Sequence, residues 1–345
     1  IEVHPEGFNG LNLEQQQSLK DLEPRFRTGG NNENSSNLVF ESVSVTTFGA
    51  TGSVIINSVV LDSNDNAYFT GVFAGQSIVF GSITLQGSTG GIVGGLRCGD
   101  IFVGKMNHDG DFLWVSIASQ TNFQNCALNE DDSGEGITLD KNGDILITGF
   151  MQSSAVTFGN TTLAASCSGC RDVIVAKLNS NGDWQWAVKS ASSASGYGHG
   201  ASVVADSKGD YYLTGTYSGT KSFGEFSVYG NAGTFVAKLN NSGSWQWAIS
   251  STYASNGFHS RENIVIDSND DIYVAGYTSE TDLFGCSNYT GYGIFVAKLN
   301  SSGSCLWVST APTPMSTALE VPGITTDSIG NIFVTGGFKT TVTFG

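Results

Sequence analysis

The chain has 345 residues, with 15 Lys and Arg against 31 Asp and Glu, a net charge of −16. An acidic surface disfavours nucleic acid as a partner, because phosphate binding needs a basic face, and it disfavours docking on anionic lipid. With 45 Gly and 5 Pro the chain suits many tight turns, and no apolar run is long enough for a membrane-inserted helix.

Residues 1–36 stand apart as an N-terminal arm. Asn12 can cap a short helix carrying Leu13, Leu19 and Leu22, stopped by Pro24. The sequence opens at Ile1 without an initiator Met or signal peptide; a processed chain is one explanation and a partial sequence another. Residues 38–46 alternate like a lone outer strand, as do the later Trp-containing segments.

A repeat then takes over. Its first half is an apolar run, an Asp turn, and a second apolar run ending in Gly: Asp62 to Gly71, Asp140 to Gly149, Asp206 to Gly215, Asp267 to Gly276 and Asp327 to Gly336. A Phe-Gly marker follows at Phe80, Phe158, Phe223, Phe284 and Phe344. The second half is a strand, an Asn turn and a Trp strand, as in Phe235-Val-Ala-Lys-Leu-Asn-Asn-Ser-Gly-Ser-Trp-Gln-Trp247. Its other copies run from Phe102 to Trp114, Ile174 to Trp186 and Phe295 to Trp307.

Each unit therefore predicts a four-stranded antiparallel meander of about sixty residues, a period that indicates a propeller. The expected fold is all-β, a β-propeller over 37–345, with blades at about 52–118, 134–191, 201–250 and 261–310. A fifth blade combines 318–345 with 37–46, so that the termini close the ring by strand pairing.

These motifs resemble the secreted bacterial β-propeller repeat family of SBBP type, and more loosely the NHL repeats in the Asp-x-x-Gly-Asn turn. The resemblance implies a propeller in an exported or cell-surface protein. It brings no common catalytic residue.

Six cysteines suit an oxidising compartment. Three local pairs are expected, Cys98–Cys126, Cys167–Cys170 and Cys286–Cys305, although sequence leaves the connectivity open. The CxxC at Cys167 is also read as a redox pair or half a zinc site. Glycosylation sequons occur at Asn34, Asn160, Asn240, Asn288 and Asn300.

The acidic turns have two readings. Asp140 with Asp144, Asp206 with Asp210, and Asp267 with Asp271 have calcium-like spacing but lack the later bidentate Glu. The plainer reading is a hairpin turn closed by Asp. No other cofactor is indicated. Trp184, Trp186, Trp245 and Trp247 are expected to pack between blades or along the rim rather than to stack on sugars. Lys105, Lys177, Lys238 and Lys298 are expected to be solvated edge charges.

Linkers into each blade carry the remaining candidates: Glu135, Tyr197, His199, Phe258 and His259, expected as loop residues sharing an axial face. His199 and His259 are read as equivalent. Two imidazoles fall short of a metal site, and paired carboxylates for glycoside hydrolysis depend on spacing in space. Function is read as a non-enzymatic extracellular subunit that self-assembles through its arm, with a glycan-binding adhesin as the alternative and a secreted hydrolase as the lesser one.

Overall fold

The computed structural model describes residues 53–75, 77–87, 99–120, 131–193, 196–251, 263–278, 283–286, 293–312, 323–327 and 329–335. The chain divides into Ile1–Ser44 and Val45–Gly345, and every described residue lies in the second unit. The arm, strand 37–46, Cys98, Cys126, Phe258, His259, Asn34 and Asn288 fall outside the described residues.

Among the described residues five main antiparallel sheets follow one another, with one small hairpin standing apart. The first holds β1 (Ser53–Leu61), β2 (Ala67–Ala74), β5 (Asp100–Met106) and β6 (Phe112–Gln120), and between β2 and β5 in the chain β3 (Ser77–Phe80) and β4 (Ile83–Gln86) form a separate two-stranded hairpin. The second holds β7 (Ser133–Leu139), β8 (Ile145–Met151), β11 (Asp172–Leu178) and β12 (Trp184–Lys189), while the hairpin β9 (Ala155–Phe158) with β10 (Thr161–Ala164), which lies between β8 and β11 in the chain, is hydrogen-bonded to β6 of the first sheet. In the third, β13 (Ala191–Ser192) precedes β14 (Gly198–Ala205), β15 (Tyr211–Phe223), β16 (Phe226–Leu239) and β17 (Trp245–Ser250). The fourth is β18 (Asn263–Ile266), β19 (Ile272–Thr278), β20 (Gly293–Leu299) and β21 (Cys305–Pro312), and the fifth is β22 (Gly323–Thr326) with β23 (Ile332–Thr335). The first four sheets carry the expected meander order. Every described element is a strand, an all-β architecture consistent with a β-propeller.

One side-chain device makes both kinds of turn. Asp140 Oδ1 accepts the N–H groups of Asn142 and Asp144, and Asp206 and Asp267 do the same in their sheets. Asn179 and Asn240 repeat the pattern in the second-half turns. The residue three after the Asp or Asn is left-handed, hence Gly143 at φ 79° and Gly209 at φ 90°. Asp65 and Asp270 occupy that position at φ 59° and 63°, where Asp is among the few side chains tolerated.

The Gly ending each first half has a separate cause. The innermost strands β1, β7 and β14 each carry a β-bulge. A Cβ on Gly71, Gly149 or Gly215 would stand within 2.0 Å of a backbone oxygen of that bulged strand, namely those of Ile55, Ser133 and His199. No side chain fits beneath them.

The Phe-Gly marker is the turn of an extra hairpin that reaches back to the preceding sheet. Ser119 of β6 pairs with Thr157 of β9, and Ala191 of β13, the short strand that follows β12 in the chain, pairs with Ser222 at the far end of β15. Within its own repeat the marker Phe meets the first Trp edge-on: Phe158 and Trp184 are 5.0 Å apart, Phe223 and Trp245 4.9 Å. The second Trp faces the next sheet. Trp186 Nε1 donates to Asn241 O at 3.2 Å, and Trp247 Nε1 to Ser301 O at 3.3 Å. The tryptophans thus lock the sheets to one another.

The repeated lysines differ from the expectation. Lys177 is 5% exposed; its Nζ lies 3.1 Å from Asp140 Oδ2 and 2.9 Å from Asp144 Oδ2. Lys238 pairs with Asp210 at 2.9 Å and Lys298 with Asp271 at 2.7 Å. Lys105 sits 4.7 Å above the Tyr68 ring. The third strand points Lys177, Lys238 and Lys298 at carboxylates of their own turns, and each of the four lysines lies over a tyrosine ring, so these cations are structural.

Cys167–Cys170 and Cys286–Cys305 are disulfides with Cα atoms 5.3 and 5.4 Å apart. Asn160 is exposed at a hairpin turn, whereas Asn240 and Asn300 spend Oδ1 on their own turns.

Candidate functional site

The innermost strands gather around one pocket of about 310 Å³, lined by Asn57, Glu135, His199, Ser202, Asn263 and Gly323, with other residues of β1, β7 and β14. Its construction follows from the repeat. The residue four places before each turn aspartate is Ser58, Gly136, Ser202, Asn263 or Gly323, and all five line the pocket. The residue one place earlier, Asn57, Glu135 or Ala201, is the bulge residue of its strand and lines it as well. A bulge turns an extra residue off the ladder, which re-aims these side chains.

Bulge residues also reach the next sheet. Asn57 Nδ2 donates to Ser133 Oγ at 3.0 Å and to Gly134 O at 2.9 Å. Glu135 Oε1 lies 3.9 Å from His199 Nε2. Ser133 and His199 both stand seven places before their turn aspartate, so the two contacts are one contact repeated.

The predicted candidates are therefore partly assembled. Glu135 and His199 meet at the pocket, but as strand residues of β7 and β14 and not as loop residues. His199 is 5% exposed because its ring lies 5.3 Å from that of Phe150, which corrects the expectation of an exposed loop histidine. His259, outside the described residues, stands eight places before Asp267, one more than His199 before Asp206. Tyr197 is drawn elsewhere. Its hydroxyl accepts a 2.9 Å bond from Arg171 Nη1, while the guanidinium lies 3.9 Å from the Phe150 ring and donates to Gln152. Asn57, Asn263, Phe150 and Arg171 were not anticipated. Counting back from the turn aspartates would have found the first two.

In the second-sheet turn both carboxylate oxygens of Asp140 are occupied by donors. Asp140 Oδ2 receives Lys177 Nζ and the Tyr211 hydroxyl at 3.0 Å. Tyr211 comes from the third sheet and stands in for the tyrosine that the second sheet lacks, where Leu146 occupies the position of Tyr68 and Tyr212. Burial would raise the Asp140 carboxyl, but the Asn142 N–H, Lys177 and the Asp144 N–H together hold it below its ordinary value. Burial would lower Lys177, but its bonds to Tyr211, Asp144 and Asp140 raise it. Burial pushes Tyr211 up to about 12. The cation at this turn is an ammonium group, and among the described residues no group of three His, Cys, Asp or Glu gathers as a metal site. A second buried acid, Asp132, is pushed up to about 7 by burial, opposed by bonds from Ser153 and Gln152 and reinforced by the nearby charge of Asp100.

Among the described residues no helix is long and apolar enough to cross a membrane. No family model matches the chain. It is 25% identical over 341 positions to an uncharacterized WD repeat-containing protein of Acanthamoeba polyphaga mimivirus, a match covering 81% of this chain and 24% of that protein. The chain thus spans about a quarter of that relative's length. Among solved structures it is similar to a protein of unknown function from Dyadobacter fermentans, at 10% identity and a TM-score of 0.43, covering 86% of this chain and 80% of the other. A protein of unknown function from Bacteroides caccae gives 13% identity and a TM-score of 0.31, covering 74% and 82%. The viral relative and the repeated antiparallel sheets agree on a repeat protein of propeller-like, all-β build.

Proposed function

We propose that the chain is a five-bladed propeller of SBBP-like repeats acting as a non-enzymatic binding module, with the axial pocket as its site. One observation carries this reading: the same two repeat positions from successive innermost strands converge on one pocket. The lining offers amide, hydroxyl, imidazole and carboxylate groups, which complement a hydroxyl-bearing ligand such as a glycan end. Tyr197, bonded to Arg171, is not among the lining residues, so recognition would rest on hydrogen bonds and not on ring stacking. Glu135 is the only carboxylate among the described lining residues, which favours binding over two-carboxylate hydrolysis. Two disulfides favour an extracellular or cell-surface setting. The test is a thermal-shift panel of mono- and oligosaccharides on the intact protein. Saturable stabilisation by at least one sugar is expected; none across the panel sinks the reading.

The second reading is self-assembly, in which residues 1–36 pair with a neighbour's sheet edge and strand 37–46 completes the fifth blade. It is favoured by β22–β23, a two-stranded sheet with Phe333 54% and Ile329 82% exposed, a surface suited to strand addition. Deleting 1–36 should then leave folded monomers, read by light scattering; unchanged assembly sinks it.

A further inference from the structure

Hydrogen bonding fixes the polarity of what the axial pocket can hold. Asn57 donates both hydrogens of its side-chain amide, to Ser133 Oγ at 3.0 Å and to Gly134 O at 2.9 Å. A backbone carbonyl only accepts, so the second bond sets which way the amide faces. Oδ1 is then the remaining polar atom of that side chain, and Asn57 lines the cavity. Glu135, the bulge residue of the next innermost strand, lines it too. Its ionised carboxylate is again a group that only accepts. Ser58 and Ser202 add hydroxyls, which donate or accept as a ligand requires.

The charges point the same way. Among the described lining residues Glu135 is the one acidic side chain, and no Lys or Arg joins it. His199 Nε2 stands 3.9 Å from Glu135 Oε1, beyond hydrogen-bond length. Arg171 is engaged elsewhere, over the Phe150 ring at 3.9 Å and bonded to Tyr197 and Gln152. The chain as a whole carries −16, and a concave site of that sign concentrates cations. The cavity of about 310 Å³ lies at the small end of ligand pockets, which run to about 1,000 Å³, and suits one sugar ring better than a chain of them.

We propose that the ligand is a protonated amino sugar, a single hexosamine ring or chain end with a free primary ammonium. The ammonium has three donors and no acceptor, the complement of a wall made of Glu135 and Asn57 Oδ1. Ser58 and Ser202 bond the ring hydroxyls. This assignment rests on the axial pocket being the binding site and narrows its ligand from any hydroxyl-bearing molecule to a cationic one. N-acetylation of the same ring removes the charge and leaves a single N–H donor.

The experiment is calorimetry on the full chain with glucosamine, N-acetylglucosamine, glucose and ethanolamine, at a pH that keeps the amines protonated and at low and high salt. Glucosamine should bind about 10- to 100-fold more tightly than either neutral sugar, the worth of a charge-assisted hydrogen bond. Added salt should erode that margin and leave the neutral sugars unchanged, a readout that needs no variant. Glu135→Gln should bring glucosamine down to the level of the neutral sugars. Glucose or N-acetylglucosamine binding as tightly as glucosamine would overturn the proposal and leave the pocket standing as a glycan site. Ethanolamine matching glucosamine would overturn it by assigning the site to small ammonium ions at large. A margin that survives both high salt and Glu135→Gln would overturn it by placing the ammonium elsewhere. Silence from all four ligands, with the wider sugar panel silent as well, would remove the binding reading together with the proposal.

Discussion

Replacing Lys177 with Met tests the account of the repeated lysines. The substitution keeps most of the apolar stem and deletes the ammonium, leaving Asp140, whose side chain is 0% exposed, without its cation. Breaking a buried pair costs about 3–5 kcal/mol. Asp144, the other partner, is 27% exposed and recovers water, which places the expected loss near the lower end, about 3 kcal/mol. The same change at Lys105 removes a cation held over the Tyr68 ring at 4.7 Å, worth about 0.5–1 kcal/mol. Urea unfolding followed by tryptophan fluorescence measures both, provided the slope with denaturant stays constant. Acid adds a second readout. Asp140 has a lowered carboxyl in the folded state, so its stabilisation is present above the unfolded value of 3.8 and is lost as pH falls below it. The gap between wild type and Lys177→Met should therefore be widest near neutrality and narrow below about pH 4. Equal losses at Lys105 and Lys177, or a gap indifferent to acid, would refute the reasoning.

Three further outcomes are expected. Gly149→Ala places a Cβ 1.9 Å from Ser133 O and should cost at least about 3 kcal/mol, seen as a large fall in Tm; a variant as stable as wild type contradicts the close-approach argument. Trp186→Phe removes the bond to Asn241 O and should cost about 0.5–1.5 kcal/mol, with near-ultraviolet circular dichroism otherwise retained; no cost means the indole N–H is solvated. Asp132, raised to about 7 in the folded state, contributes stability that is full below the unfolded value and is lost as pH rises to about 7. Asp132→Asn should thus gain on wild type between pH 5 and pH 8 in urea midpoints, and a constant difference would refute it.

Much of the fold was legible because the repeat writes its turns in residues with single structural uses. Asp140 and Asn179 announce hairpins, Gly143 the left-handed position, and alternation at Trp184 and Trp186 a strand. The hairpin around Phe158 was visible only as a marker, since its pairing partner, β6, lies in another repeat and no local pattern encodes that contact. Lys177 was misread because a lysine in a strand looks the same whether water or a carboxylate receives it; Asp140 lies 37 residues away. The pocket was half legible. Glu135 and His199 stood out by residue type, whereas Ser58, Gly136 and Gly323 are unremarkable until counted from the turn aspartate. The bulge that aims Asn57 and Glu135 inward is a backbone event, signalled only indirectly by the Gly residues opposite it.

The most direct test of the central claim is the affinity of wild type and Glu135→Gln for whichever sugar the panel identifies, measured by calorimetry. Loss of a charged hydrogen-bond acceptor should weaken binding by about 10- to 100-fold while leaving the Tm within a degree or two, because Glu135 lines a pocket rather than filling a core. Unchanged affinity in a folded Glu135→Gln protein would place binding on another surface and contradict the account.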